Sequence, residues 1–116
     1  MSITITLPWP PKELSPNARK HFMALYKAKK AYREACYWQA VEQGARRLDA
    51  ERLHVHFEFH KPTKRAMDLD NALARCKAGI DGLADVLGVD DSKWTMSMNF
   101  ADTVGGFVRV TIKEAA

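Results

Sequence analysis

Asp68 and Asp70, in the run Met67-Asp68-Leu69-Asp70-Asn71, and Asp90 and Asp91 about twenty residues later are the residues best suited to do chemistry in this chain. Six of the fourteen acidic residues fall between positions 68 and 91, in a chain of 116 residues with a net charge of +4 and a pI near 9.2. Adjacent carboxylates repel one another unless a cation sits between them. A carboxylate knot in a basic chain therefore points to a hard divalent cation with oxygen ligands. Each half also has a plainer reading, as a helix cap for the first pair and turn chemistry for the second.

Spacing says how the first pair could act together. In a helix, residues two apart point about 200° away from each other. In extended chain they point to the same side. The expectation is an extended Asp68-Leu69-Asp70 segment, with Asp70 or Asn71 capping the helix that follows. Four stretches alternate apolar and polar residues with the period of a strand. They centre on Ile3-Ile5-Leu7, Leu53-Val55-Phe57-Phe59, Met96-Met98-Phe100 and Val108-Val110-Ile112. The last two flank Asp102-Thr103-Val104-Gly105-Gly106, which reads as a hairpin loop.

Two helices are expected between the strands. The first spans 23–47, with the apolar stripe Ala31, Ala35, Trp38, Val41, Ala45 and Leu48. The second spans 71–87, with Leu73, Cys76, Ile80, Leu83, Ala84 and Leu87, and Gly88 placed to end it. The fold class is α+β: one four-stranded mixed sheet in the order β-α-β-α-β-β, with two helices packed on one face. Four prolines make 8–22 a long irregular loop. The whole chain reads as a single domain.

Charge is segregated. Residues 1–33 hold seven cations and one acid, while 68–91 hold six acids and two cations. A basic arm beside an acidic pocket suits a polyanionic substrate processed at a metal site. No stretch reaches membrane-spanning length, and the alternating N-terminus does not read as a signal peptide. Cys36 and Cys76 share no pairing motif and are expected as free thiols in a reducing cytoplasm.

The order of short motifs resembles the RusA family of Holliday junction resolvases, small endodeoxyribonucleases often carried by phages and prophages. The resemblance runs from Ile5-Thr6-Leu7-Pro8-Trp9-Pro10-Pro11 through Ser15-Pro16-Asn17 and Phe59-His60-Lys61-Pro62. It continues with Asp68-Leu69-Asp70-Asn71, Asp81-Gly82-Leu83, Asp90-Asp91-Ser92 and Val110-Thr111-Ile112. It implies Mg2+, with Mn2+ as a substitute, held by Asp68, Asp70 and Asp91, with Asp90 as the fallback. It also implies a helix lysine at the scissile phosphate. Here the chain departs from the pattern. The family lysine lies four residues after the second aspartate, where this chain has Ala74, and the best match is Lys77, seven after Asp70. Lys77 equally suits a surface pair with Asp81, four residues on, and Arg75 is a weaker substitute.

The implied activity is hydrolysis of DNA at a four-way junction by symmetric paired nicks, in recombination and repair. Two-fold symmetric incision needs two sites, hence a homodimer. Expected DNA contacts are Lys61, Lys64 and Arg65 beside the acidic motif, with Asn71, and Arg19, Lys20, Lys27 and Lys30 along the flanking arms. Competing readings are a non-catalytic DNA- or RNA-binding module, which leaves the aspartates idle, and an Asp-x-Asp glycosyltransferase, which leaves the basic arm idle. His54, His56 and His60 share a polar strand face with Glu58, a pattern that can bind zinc but more often lines solvent or an interface. Trp9, Trp38 and Trp94 read as core or interface anchors more than base-stacking groups, and Trp9, in the proline loop, is the one to test for DNA contact.

Overall fold

A computed structural model describes residues 2–16, 18 and 21–115. The alternating segments form strands β1 (Ser2–Pro8), β2 (Leu53–His60), β3 (Trp94–Phe100) and β4 (Phe107–Glu114). Together they make one mixed sheet in the order β1-β4-β2-β3. β4 runs antiparallel to both neighbours, with Ile5 and Phe57 both opposite Val110. β3 runs parallel to β2, with Met98 opposite Phe57. Leu53, Val55, Phe57 and Phe59 are at most 1% exposed, as are Val108, Val110 and Ile112. β2 and β4 thus supply the middle of the core.

The expected hairpin between the last two strands is not formed. β4 inserts between β1 and β2, so the connection from β3 must cross the end of β2. It does so by bonding to that end: Ala101 N–H donates to Phe59 O, Gly105 N–H to Lys61 O and Gly106 N–H to His60 O. Gly106 takes a φ of +77°, which a side chain would resist. The turn signal was genuine, but the turn wraps a strand end instead of closing a pair.

Helix α1 spans Phe22–Glu42, not 23–47. It stops where Gly44 turns left-handed at φ +96°. Gln43 then ties the helix end to the edge strand. Its Nε2 donates to Thr6 O at 2.7 Å and its Oε1 accepts from Thr6 N–H at 2.6 Å. The expected apolar stripe is also displaced. Tyr32, Cys36 and Ala40 face the core, while Trp38 is 63% exposed and Val41 40%. Small Cys36 and Ala40 let the helix approach its neighbours, which Trp38 on that face would prevent.

The single helix expected over 71–87 is two. Helix α2 spans Leu69–Arg75 and α3 spans Lys77–Leu87. The break falls at Cys76, whose N–H closes a tighter turn onto Leu73 O. Cys76, Ile80, Leu83 and Leu87 of the expected stripe are buried, and Gly88 ends α3 in the left-handed region, as expected. Among the described residues no helix is long and apolar enough to cross a membrane.

α3 crosses α1 on a glycine surface. A β-carbon at position 79 would lie 2.7 Å from the Tyr32 ring and 2.8 Å from Cys36 Sγ. One at position 82 would overlap the Arg33 carbonyl oxygen. Behind this contact Cys36 and Cys76 are free and buried, and burial pushes both thiols up to about 12. Gly82→Ala is expected to cost about 2 kcal/mol by overpacking. A thermal melt should show a fall of several degrees, and an unchanged Tm would contradict the close crossing.

Candidate functional site

The acidic residues sit at the two ends of α2–α3. Asp68 is the residue before α2, extended at φ −80° and ψ 144°, and its side chain makes no cap bond. The helix begins at Leu69, two residues earlier than expected. Asp70 therefore lies in the first helical turn, where its Oδ1 accepts from Asn71 N–H at 3.0 Å. The extended Asp68-Leu69-Asp70 segment is not found. Asp68 is extended and Asp70 helical, so the two aspartates flank the first residue of α2.

At the other end the chain folds back. Gly88 reverses it, and Trp94 anchors the return by donating from Nε1 to Val89 O at 3.0 Å in the core. Between them Asp90 caps a short 3-10 turn, Asp91–Lys93, by accepting the Ser92 N–H at 3.0 Å. Bonds from the Ser92 side chain and backbone hold the exposed Asp90 carboxyl below its ordinary range. Asp90 is thus committed to the turn, and Asp91 is presented to α3.

Lys77 joins these parts. Its Nζ donates to Asp91 Oδ2 at 2.6 Å and to Asp81 Oδ1 at 3.0 Å. The surface pair with Asp81 is therefore present, and the later aspartate joins it. The bond to Asp91 is the main cause that holds the Lys77 ammonium above its ordinary value; partial burial opposes it, and Asp81 adds to the rise. Lys77 is 59% exposed and the Asp91 side chain 25%. The ammonium can therefore exchange partners with an incoming anion.

Among the described residues no three His, Cys, Asp or Glu side chains gather to hold one metal ion. Asp68, Asp70 and Asp91 as placed do not make the ligand set that the resemblance implies, and Asp90 does not complete it. Asp70 accepts the Asn71 N–H, and Lys77 occupies Asp91.

The basic residues divide into committed and open ones. Arg75 reaches under the proline loop: its Nη2 donates to Pro10 O at 2.9 Å, and the guanidinium lies 6.0 Å from the centre of the Trp9 ring. Its buried Nε has no partner. Lys61 Nζ donates to Arg65 O at 2.7 Å and stands 5.0 Å from the Phe100 ring centre. Lys64, Arg65, Lys27 and Lys30 are exposed. Arg19 and Lys20, and Asn17 of the proline loop, lie outside the described residues.

Trp9 packs edge-on against Phe59 at 6.2 Å and is partly buried, so the tryptophan that faces solvent is Trp38. The histidine strand makes a polar ladder. His54 bonds Thr95 and Ser97, and His56 bonds Ser97 and Asn99, so all four ring nitrogens have hydrogen-bond partners. His60 is buried, stacked on Phe107 at 4.2 Å and bonded to Glu58 at 2.6 Å.

A groove of about 1130 Å3 opens beside Lys77 and Asp81, lined by α1, by α2–α3 and by Leu14, Ser15, Pro16 and Ala18 of the proline loop. Tyr26, Lys29, Arg33 and Asp85 line it and were not singled out from sequence. Tyr26, Lys30, Arg33 and Tyr37 recur at helical spacing, a signal that was present but hidden by assigning the apolar stripe to a different face of α1.

Compared with proteins of known sequence, the chain is 40% identical over 114 residues to an uncharacterized protein of Xylella fastidiosa (strain Temecula1). The match covers 94% of this chain and 74% of the relative. No protein-family model matches the chain.

The Lys77 pair has a definite pH signature. A lysine whose folded pKa is raised adds stability below its unfolded pKa of about 10.4 and loses it as pH rises through the folded value. At this exposure the contribution is about 0.5 kcal/mol. Thermal melts of wild type and Lys77→Met are expected to differ slightly in favour of wild type at pH 8, with the gap closing above about pH 10.5. A gap that widens with pH would contradict the pairing.

Proposed function

We propose that this chain, which belongs to the same protein family as the Xylella fastidiosa relative, is an endodeoxyribonuclease that resolves four-way DNA junctions. The observation that carries this reading is the 2.6 Å bond between Lys77 and Asp91. It supports the fold-back that the sequence left open, because it brings the second acidic pair to the start of α3. The resemblance of Asp68-Leu69-Asp70-Asn71 and Asp90-Asp91-Ser92 to RusA resolvases supplies the substrate class.

In this reading a phosphodiester approaches Lys77 and displaces one of its two carboxylates. The ammonium then faces the charge that grows on the phosphoryl oxygens in the transition state. A water oxygen attacks phosphorus and the bond to the 3′-oxygen breaks. One proton of the water ends on that 3′-oxygen and the other goes to solvent. Mg2+, or Mn2+ in its place, is the cofactor proposed with this activity, although no three-carboxylate group that would hold it forms among the described residues. Lys61, Lys64, Arg65, Lys27 and Lys30 supply phosphate contacts. A homodimer supplies the second incision. A reducing cytoplasm suits the two free thiols.

One observation favours a second reading, a nucleic-acid-binding module without catalysis: no three-carboxylate group forms among the described residues. A synthetic four-way junction separates the two. Wild type is expected to cut it at symmetry-related positions with Mg2+ or Mn2+ and not in EDTA. Asp70→Asn is expected to bind the junction and cut at least about 100-fold more slowly, as for loss of a transition-state interaction. Equal cutting by both proteins removes Asp70 from the chemistry. Binding by wild type without cutting in either metal establishes the module instead.

A further inference from the structure

The groove beside Lys77 carries more than phosphate-binding charge. Along α1, Tyr26, Lys29, Lys30, Arg33 and Tyr37 lie within one helical face about 16 Å long, with Trp38 at its border. Tyr26 is 59% exposed and Trp38 63%. Scattered exposed aromatics need no explanation. These alternate with cations inside one concave surface. The Trp38 ring is braced edge-on against Tyr37 at a centroid distance of 4.9 Å.

The charge of the groove is positive where it is open. Among the described residues five cations and three carboxylates line it. Two of those carboxylates are already paired, Asp85 with Arg33 at 2.6 Å and Asp81 with Lys77 at 3.0 Å. Among the described residues Lys29 and Lys30 are in no salt bridge. The surface therefore asks for a ligand that is a polyanion and also presents flat apolar faces. A duplex brings phosphates but keeps its bases stacked inside. An acidic peptide would use the cations and leave the rings idle. A strand with unstacked bases satisfies both.

We propose that this groove binds single-stranded nucleic acid, with bases stacked on Tyr26 and Trp38 and phosphates on Lys29 and Lys30. The strand runs toward Lys77, which lines the same groove. This deepens the junction reading and rests on it for the source of the strand, the unpaired segment at a branch point.

The test uses the full chain in EDTA, so that binding is read without cutting. A labelled twelve-nucleotide oligothymidylate is titrated by anisotropy and by tryptophan fluorescence. Binding with quenching of Trp38 emission is expected. Trp38→Ala should weaken binding about tenfold, whereas Trp38→Phe should keep the affinity and lose the quenching. The Lys29→Gln/Lys30→Gln double variant should flatten the slope of log affinity against log salt by about 1.4, the amount for two single-strand phosphate contacts. Unchanged affinity in Trp38→Ala, or oligothymidylate binding no tighter than an equal-length polyglutamate, overturns the proposal. Lost oligonucleotide binding with intact junction cutting refutes the groove alone. Oligonucleotide binding by a wild type that cuts no junction in Mg2+ or Mn2+ refutes the catalytic reading alone.

Discussion

The crossing of α1 and α3 at Gly79 and Gly82 is the contact on which the rest of the molecule depends. The Tyr32 ring and Cys36 Sγ press on Gly79, and the Arg33 carbonyl oxygen occupies the space that a β-carbon at position 82 would need. The approach fixes the height of both groove walls. It also places Arg33 within 2.6 Å of Asp85 and sets the Lys77 end of α3 opposite the cationic face of α1. Larger residues at these two positions would separate the walls and spread the charges. Glycine costs helix propensity, so its use twice in an eleven-residue helix reflects a packing demand that outweighs that cost.

The strands were legible because period two is a local property of the sequence. Their pairing was not, because it is decided by which strand must be buried on both edges. β4 has an apolar face of three residues at most 1% exposed, whereas Met96 and Met98 on β3 remain partly exposed. Burial favours β4 inside the sheet and β3 at its edge, and no turn signal between them could report that preference. The same limit applies to α1. An alanine- and tryptophan-based stripe satisfies the helical period as well as the one built on Tyr32, Cys36 and Ala40. Only the size of what lies opposite selects between them.

At the candidate site, the pair Lys77–Asp81 follows from spacing alone, since residues four apart share a helix face. Lys77–Asp91 does not. It requires a left-handed glycine at 88, a cap from Asp90 and an anchor at Trp94, three separate local events that together aim one carboxylate. A seven-residue spacing would put Asp70 and Lys77 on one face only if α2 and α3 were one helix. The break at Cys76 removes that phase relation and leaves Lys77 oriented by its partners instead.

Lys77 is consequently where the acidic and basic halves of the chain meet. It pairs with Asp91 and Asp81 on one side and lines the cationic groove on the other. A phosphate arriving along the groove would compete for the same ammonium, and each hydrogen bond it gained would release a carboxylate. The freed carboxylate would then be an unpaired anion beside a bound polyanion, the arrangement that repulsion makes costly without a cation. If nucleic acid binds as proposed, the demand for a divalent ion arises from binding itself.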